Sequence, residues 1–137
     1  MKYLLDTNIC IYLIREKPRR VIEQFETAVV GDVAISAITV AELWYGVGKS
    51  QYRQKNQQAL RKFLLPLVIV DFSQEAAVTY GKIRSELERS GRPIGPLDTL
   101  IAAQAVSLGL TLVTNNEKEF ARVPGLALEN WAAEGDT

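Results

Sequence analysis

Asp6, Glu42 and Asp98 are the residues of this chain whose types and positions can support chemistry, because it holds no histidine and one cysteine, Cys10. Ser-His-Asp and Cys-His catalysis, histidine proton relays and His-ligated zinc are therefore excluded. Acid–base or metal chemistry falls to carboxylates. Five aspartates occur: Asp6, Asp32, Asp71, Asp98 and Asp136. Asp6 ends an apolar run, Glu42 lies in an apolar helical stretch, and Asp98 follows Pro96 by two positions. A polar segment from Thr114 to Phe120 adds Glu117 and Glu119. Carboxylates gathered without His or Cys suit a hard cation, Mg²⁺ or Mn²⁺, and disfavour zinc. Such a cluster suffers repulsion and desolvation unless a divalent cation relieves it. Binding phosphate and activating water are the usual work of that ion, which points to phosphodiester hydrolysis. Each acid also has a plainer reading. Asp6 can cap a helix, Glu42 can close a Thr39-x-x-Glu42 capping box, and Asp98 can be favourable first-turn charge. Asp71 reads as loop or cap.

The elements that must position these acids follow from the apolar pattern. Lys2–Leu5, Val33–Ile35, Leu67–Val70 and Leu110–Val113 are short continuous apolar runs, with Leu126–Leu128 as a candidate fifth. Helical stretches separate them: Ile9–Arg15, a helix from Pro18 toward Gly31, Ile38–Val47, Gln51–Leu65, Ser73–Ser90 and Leu97–Leu108. Ser73 is the expected N-cap of the long helix and Gly91 its C′ residue. Apolar strands alternating with helices predict a three-layer α/β/α fold around a mainly parallel sheet of four to five strands. Ligands in such sheets bind at the carboxyl ends of the strands. Asp6, Glu42 and the Thr114–Phe120 segment are therefore expected on one edge. Asp98 reaches that edge only if its helix runs antiparallel to the others or is offset.

One domain over residues 1–133 is expected, with 134–137 as a flexible tail. Lys plus Arg and Asp plus Glu are 16 each, so net charge is zero and a globally basic nucleic-acid binder is excluded. The charge is nonetheless uneven. Residues 1–70 carry ten basic and six acidic side chains, a difference of +4; residues 71–137 carry six and ten, a difference of −4. Arg15, Lys17, Arg19, Arg20, Lys49, Arg53, Lys55, Arg61 and Lys62 are candidates for a phosphate-tracking surface. Each is also an ordinary solvated helix charge. Arg92, in the loop before Asp98, either contacts a phosphate-bearing substrate or braces that loop. Trp44 and Tyr45 belong to the core or to a groove for a partner helix. The apolar runs fall short of the roughly 18 residues a membrane span needs. The expected location is the cytoplasm.

The motifs then resemble a known family. Leu4-Leu5-Asp6-Thr7-Asn8, Ile35–Leu43 with Tyr45-Gly46, Gly95–Ala103, Leu112–Asn116 with Glu119-Phe120, and Val123–Leu126 through Asn130-Trp131 follow the order of motifs in PIN-domain ribonucleases. Together they resemble the VapC toxins of VapBC toxin–antitoxin pairs. That resemblance implies a Mg²⁺- or Mn²⁺-dependent endoribonuclease acting on structured RNA, commonly tRNA, and leaving a 3′-hydroxyl and a 5′-phosphate. It implies Asp6 and Asp98 as metal ligands with Glu42 completing the site. Thr7 and Asn8 orient ligands and phosphate, and Thr114 and Asn116 support the site. Many PIN domains carry an aspartate where this chain has Asn116, and Glu119 is the expected substitute. A VapB-type antitoxin and a homodimer are the implied partners. Three rival functions stand beside this one. The first is an inactive PIN-fold binding module and the second a DNA-cutting PIN nuclease. The third is a phosphoacceptor receiver domain, which needs an acidic pair where Asp6-Thr7-Asn8 offers one acid.

Overall fold

The structure, a computed structural model, describes residues 1–133; the tail expected at 134–137 lies outside them. Five strands form one sheet: β1 Tyr3–Leu5, β2 Val33–Ser36, β3 Val68–Val70, β4 Thr111–Val113 and β5 Leu128–Glu129. All neighbouring strands are parallel, in the order β3-β2-β1-β4-β5. The helices are α1 Thr7–Arg15, α2 Arg19–Thr27, α3 Ala37–Gly48, α4 Arg53–Leu64, α5 Gln74–Arg89, α6 Pro96–Leu108 and the short α7 Glu117–Phe120.

Register explains why the strands read as continuous apolar runs. Leu4 pairs with Ala34 and Leu112, and all three side chains join the core under α5, α6 and Phe120 of α7. The next residues along, Leu5, Ile35 and Val113, enter the opposite core under α1–α4. The side-chain period of two sends alternate residues to opposite faces, and both faces are covered. Burying each of the leucine, isoleucine and valine side chains contributes about 1.5–3 kcal/mol.

Most expected helices are present within a residue or two, and Ser73 caps α5 by accepting a bond from the Ala76 amide. Gly91 (φ +69°) follows α5 as expected, and Gly109 (φ +66°) closes α6 in the left-handed conformation glycine adopts at no steric cost. Three expectations are corrected. The helix after Pro18 stops at Thr27, not near Gly31, because Gly31 belongs to the turn that feeds β2. The fifth strand is Leu128–Glu129 rather than Leu126–Leu128; its pairing with β4 starts at Leu128 opposite Leu112. The Thr39-x-x-Glu42 capping box does not form. Ser36 caps α3, its hydroxyl oxygen accepting from the Ile38 amide, and Thr39 lies inside the helix and is fully buried.

The orientation of α6 is also decided. The chain leaves β3, passes through the α5–α6 pair, and enters β4 parallel to the other strands. A helix packed beside a parallel strand and leading into it runs down from the carboxyl edge. The first turn of α6, carrying Asp98, therefore sits at that edge. No offset or exceptional direction is needed relative to α1 and α3, which descend from the same edge.

Candidate active site

The strand order places the site. The chain steps outward from β1 to β2 to β3, then crosses back to β4 on the other side of β1. A crevice opens at the carboxyl ends of strands flanking such a reversal, here β1 and β4. Asp6 directly follows β1 and Thr114 directly follows β4.

Asp6 is 5% exposed and held from two sides. Its Oδ1 accepts from the Ile9 amide at 2.9 Å, so the acid is also the N-cap of α1. Its Oδ2 accepts from the Thr114 hydroxyl, whose oxygen in turn accepts from the Asn116 amide at 2.9 Å. Capping and site chemistry are thus compatible roles for one carboxylate. Burial raises the Asp6 pKa, the two hydrogen bonds oppose the rise, and the charge of Glu42 adds to it.

Glu42, on the second turn of α3, accepts a 2.8 Å bond from the Thr7 hydroxyl. Thr7 also lies 3.4 Å from the hydroxyl of Thr39. Thr39 is a supporting residue that the sequence disguised as a cap. On the other wall, the Glu119 carboxylate accepts from the Gly95 amide at 3.1 Å through Oε1, and from the Asn116 side-chain amide through Oε2. Asn116 and Glu119 are therefore partners, not competitors for one position. Asp98 is half-buried and faces this wall, with its pKa raised to about 6. Burial is the main cause. The negative charges of Glu119, Asp6 and Glu42 follow, and then a hydrogen bond with Glu119 that favours the protonated form. Asp98 thus feels the charges of the other three predicted acids across a single cleft. Among the described residues, however, no group of three or more Asp, Glu, Cys or His side chains is placed closely enough to hold a metal ion as it stands.

The remaining expectations divide. Thr7 and Asn8 line a groove of about 1050 Å³ that also touches Glu42 and runs between α1, α3, α4 and the start of α6. Its walls are mostly apolar, including Ile11, Ile14, Ile38, Val47 and Leu60, and its rim carries Arg15 and Lys49. Tyr45 lines this groove and is 69% exposed, with Lys49 Nζ 4.9 Å from its ring centre. Trp44 packs on the core below α3 and is covered by the Arg61 guanidinium. The Trp44–Tyr45 pair is therefore split between core and groove. Arg19 is engaged with Glu23 at 3.0 Å. Arg92 is exposed, and the loop is braced instead by Arg122, whose guanidinium donates to the Pro93 carbonyl at 3.0 Å. Cys10 is fully buried, and burial pushes its thiol well above the ordinary range, which removes it as a nucleophile. Two supporting residues fall inside the motifs but were not singled out as site residues by the sequence. Gly95 acts through its backbone amide, and Thr39 through a neighbour 32 residues away.

The PIN domain family matches residues 3–126. Ribonuclease VapC2 of Rickettsia felis is 48% identical over 96% of this chain and 98% of its own length. The tRNA(fMet)-specific endonuclease VapC of Shigella flexneri is 46% identical over 96% of this chain and 99% of its own. Among solved structures, the DNA-bound VapBC from Salmonella typhimurium superposes with a TM-score of 0.92 at 42% identity, covering 96% of this chain and 99% of that one.

Proposed function

This chain belongs to the PIN domain family, among the VapC ribonucleases, and from that membership we propose how its cleft works. The protein is the toxin of a type II toxin–antitoxin pair, one PIN domain over residues 1–133. It is an endoribonuclease that hydrolyses phosphodiester bonds in structured RNA, with tRNA as the substrate class and the cytoplasm as the place of action. The name of the Shigella flexneri relative supports the tRNA assignment. Among the described residues, no helix is long and apolar enough to cross a membrane.

One observation carries the reading: half-buried Asp98, at the start of α6, lies close enough to Glu119, Asp6 and Glu42 for all three charges to act on it. Asp98 set among three further carboxylates makes a site that repels its own charge. The donor set is all oxygen, which fits Mg²⁺ or Mn²⁺. The incomplete convergence of the acids also fits, because Mg²⁺ keeps several waters and takes only one or two carboxylates directly. Asp6 and Asp98 are the assigned direct ligands, with Glu42 and Glu119 binding directly or through water. When bound, the cation would neutralise phosphate charge and lower the pKa of a bound water.

The other residues hold this arrangement. The Thr114 hydroxyl and the Ile9 amide fix both oxygens of Asp6. Thr7 orients Glu42, and Asn116 with the Gly95 amide orients Glu119. Asn8 lines the groove next to Thr7 and is assigned to orient a phosphate. Arg92 is free to meet the RNA backbone beside Asp98. The apolar groove lined by Tyr45 is the assigned seat of a VapB-type antitoxin segment, and a homodimer belongs to the same reading.

The test is cleavage of total tRNA by purified protein with Mg²⁺, with chelator, and with Asp98→Asn, beside a single-stranded DNA arm. Discrete metal-dependent fragments that vanish in the variant are expected. Equal cleavage by the variant, or cleavage confined to DNA, overturns the assignment.

A further inference from the structure

We infer that Gly95 is a glycine for the sake of the acidic cleft and not for the fold. This inference deepens the proposed metal site and rests on it. Gly95 precedes the first turn of α6 with φ −57° and ψ 148°. That is ordinary extended backbone, open to any residue and favoured before a proline such as Pro96. No positive φ demands glycine here, in contrast to Gly91 and Gly109. The fold's own contacts do not demand it either. A Cβ built at Gly95 meets no atom closer than 3.6 Å, an ordinary packing distance.

What that Cβ would meet is the informative point. Its neighbours within 4 Å are Asp98 Oδ2 at 3.6 Å and Glu119 Oε1 at 3.9 Å. The hydrogen of Gly95 thus leaves a small polar space bounded by two of the four acids. A methyl group there would cover both carboxylate oxygens with apolar surface. It would also displace water or ion from the side they share. The backbone amide of Gly95, which donates to Glu119 Oε1 at 3.1 Å, would be kept by any residue except proline. Gly95 therefore has two separable roles: its N–H positions Glu119, and its missing side chain keeps the approach to Asp98 and Glu119 open. The second role is the one assigned here, and it is a positioning role.

The experiment compares parent, Gly95→Ala, Gly95→Ser and Asp98→Asn by Mn²⁺ titration calorimetry, thermal melting in EDTA and tRNA cleavage over a range of Mn²⁺. Serine carries the same Cβ with a better helix-capping group. Both Gly95 variants are expected to melt within about 4 °C of the parent in EDTA. They should bind Mn²⁺ about 10- to 100-fold more weakly, the range seen when groups supporting a metal ligand are altered. Cleavage should fall with them and partly return at high Mn²⁺. Parent-like Mn²⁺ affinity in both Gly95 variants, while Asp98→Asn loses it, overturns the inference and leaves the site intact. A large drop in melting temperature in both Gly95 variants also overturns it, because glycine would then serve the fold. Parent-like Mn²⁺ affinity in Asp98→Asn would instead refute the metal site itself, and the inference with it.

Discussion

The two walls of the cleft treat buried acid in opposite ways. On the β1–β4 wall, Asp6 is nearly inaccessible, yet both of its oxygens accept hydrogen bonds, from the Ile9 amide and the Thr114 hydroxyl. Those bonds oppose the rise in pKa that burial causes. On the α6–α7 wall, Asp98 is less buried and, among the described residues, meets no such donors; its neighbour Glu119 favours the protonated form instead. A buried carboxylate with its lone pairs satisfied is a structural component as well as a ligand. A carboxylate set among other acids has little to offer the fold and is retained against its cost. Asp6 therefore serves structure and chemistry together, and Asp98 serves chemistry.

Activity should be hit hardest by removing the ligands on either wall. Asp98→Asn and Asp6→Asn should each lower Mg²⁺-dependent tRNA cleavage by on the order of 10³-fold, since a lost metal ligand removes several kcal/mol of transition-state stabilisation. Comparable single-turnover rates in either variant would remove that acid from the site. Stability should then separate the two walls. In EDTA at pH 7, Asp6→Ala should destabilise the protein by about 1–2 kcal/mol, through the lost cap and the orphaned Thr114 hydroxyl. Asp98→Ala should leave the protein at least as stable as the parent, because a repelled charge has gone. Urea unfolding followed by circular dichroism measures both, and the same sign for both would erase the distinction.

The walls should differ in pH dependence as well. The ordinary aspartate pKa is 3.8, and that of folded Asp98 is about 6. The folded state thus binds this proton more tightly than the unfolded chain does. Below about pH 4 both states are protonated; as pH rises through 6 the folded state bears the extra cost of ionisation, so stability contributed by the proton is lost. Melting temperature in EDTA should fall between pH 4 and 7, the fall should be shallower in Asp98→Asn, and Mg²⁺ should raise it more at pH 7 than at pH 5. A pH-independent response to Mg²⁺ would contradict the acid cluster as its binding site. The smallest expected effect lies outside the cleft. Arg92→Glu should slow tRNA cleavage about 3- to 10-fold at low salt, with the deficit shrinking as salt rises. A deficit that salt leaves unchanged would place Arg92 in loop support instead.

Much of this was legible along the chain, for a definite reason. Strands buried on both faces must be apolar at every position, so Leu4-Leu5, Val33–Ile35 and Leu112-Val113 stood out without any structure. Ser73 and Gly91 marked α5 through local backbone chemistry. Thr39 misled because Thr-x-x-Glu is a capping pattern only at a helix start, and α3 begins two residues earlier at Ala37. Asp98 called for a special helix direction on sequence grounds, although any helix leading down into a parallel strand begins at the carboxyl edge.

Residue types alone dictated the available chemistry: with no histidine and a single cysteine, acid–base and metal chemistry fell to carboxylates. Which of them meet was left to the fold. Thr114 reaches Asp6 across 108 residues, Thr7 reaches Glu42 across 35, and the Gly95 amide reaches Glu119 across 24. Separations of that kind leave no periodic trace in a chain. They arise from the crossover that returns the polypeptide from β3, at one edge of the sheet, to β4 beside β1. Closing that crossover brings β1, β4 and the start of α6 to one crevice, and with them the charges that set Asp98 apart from Asp6.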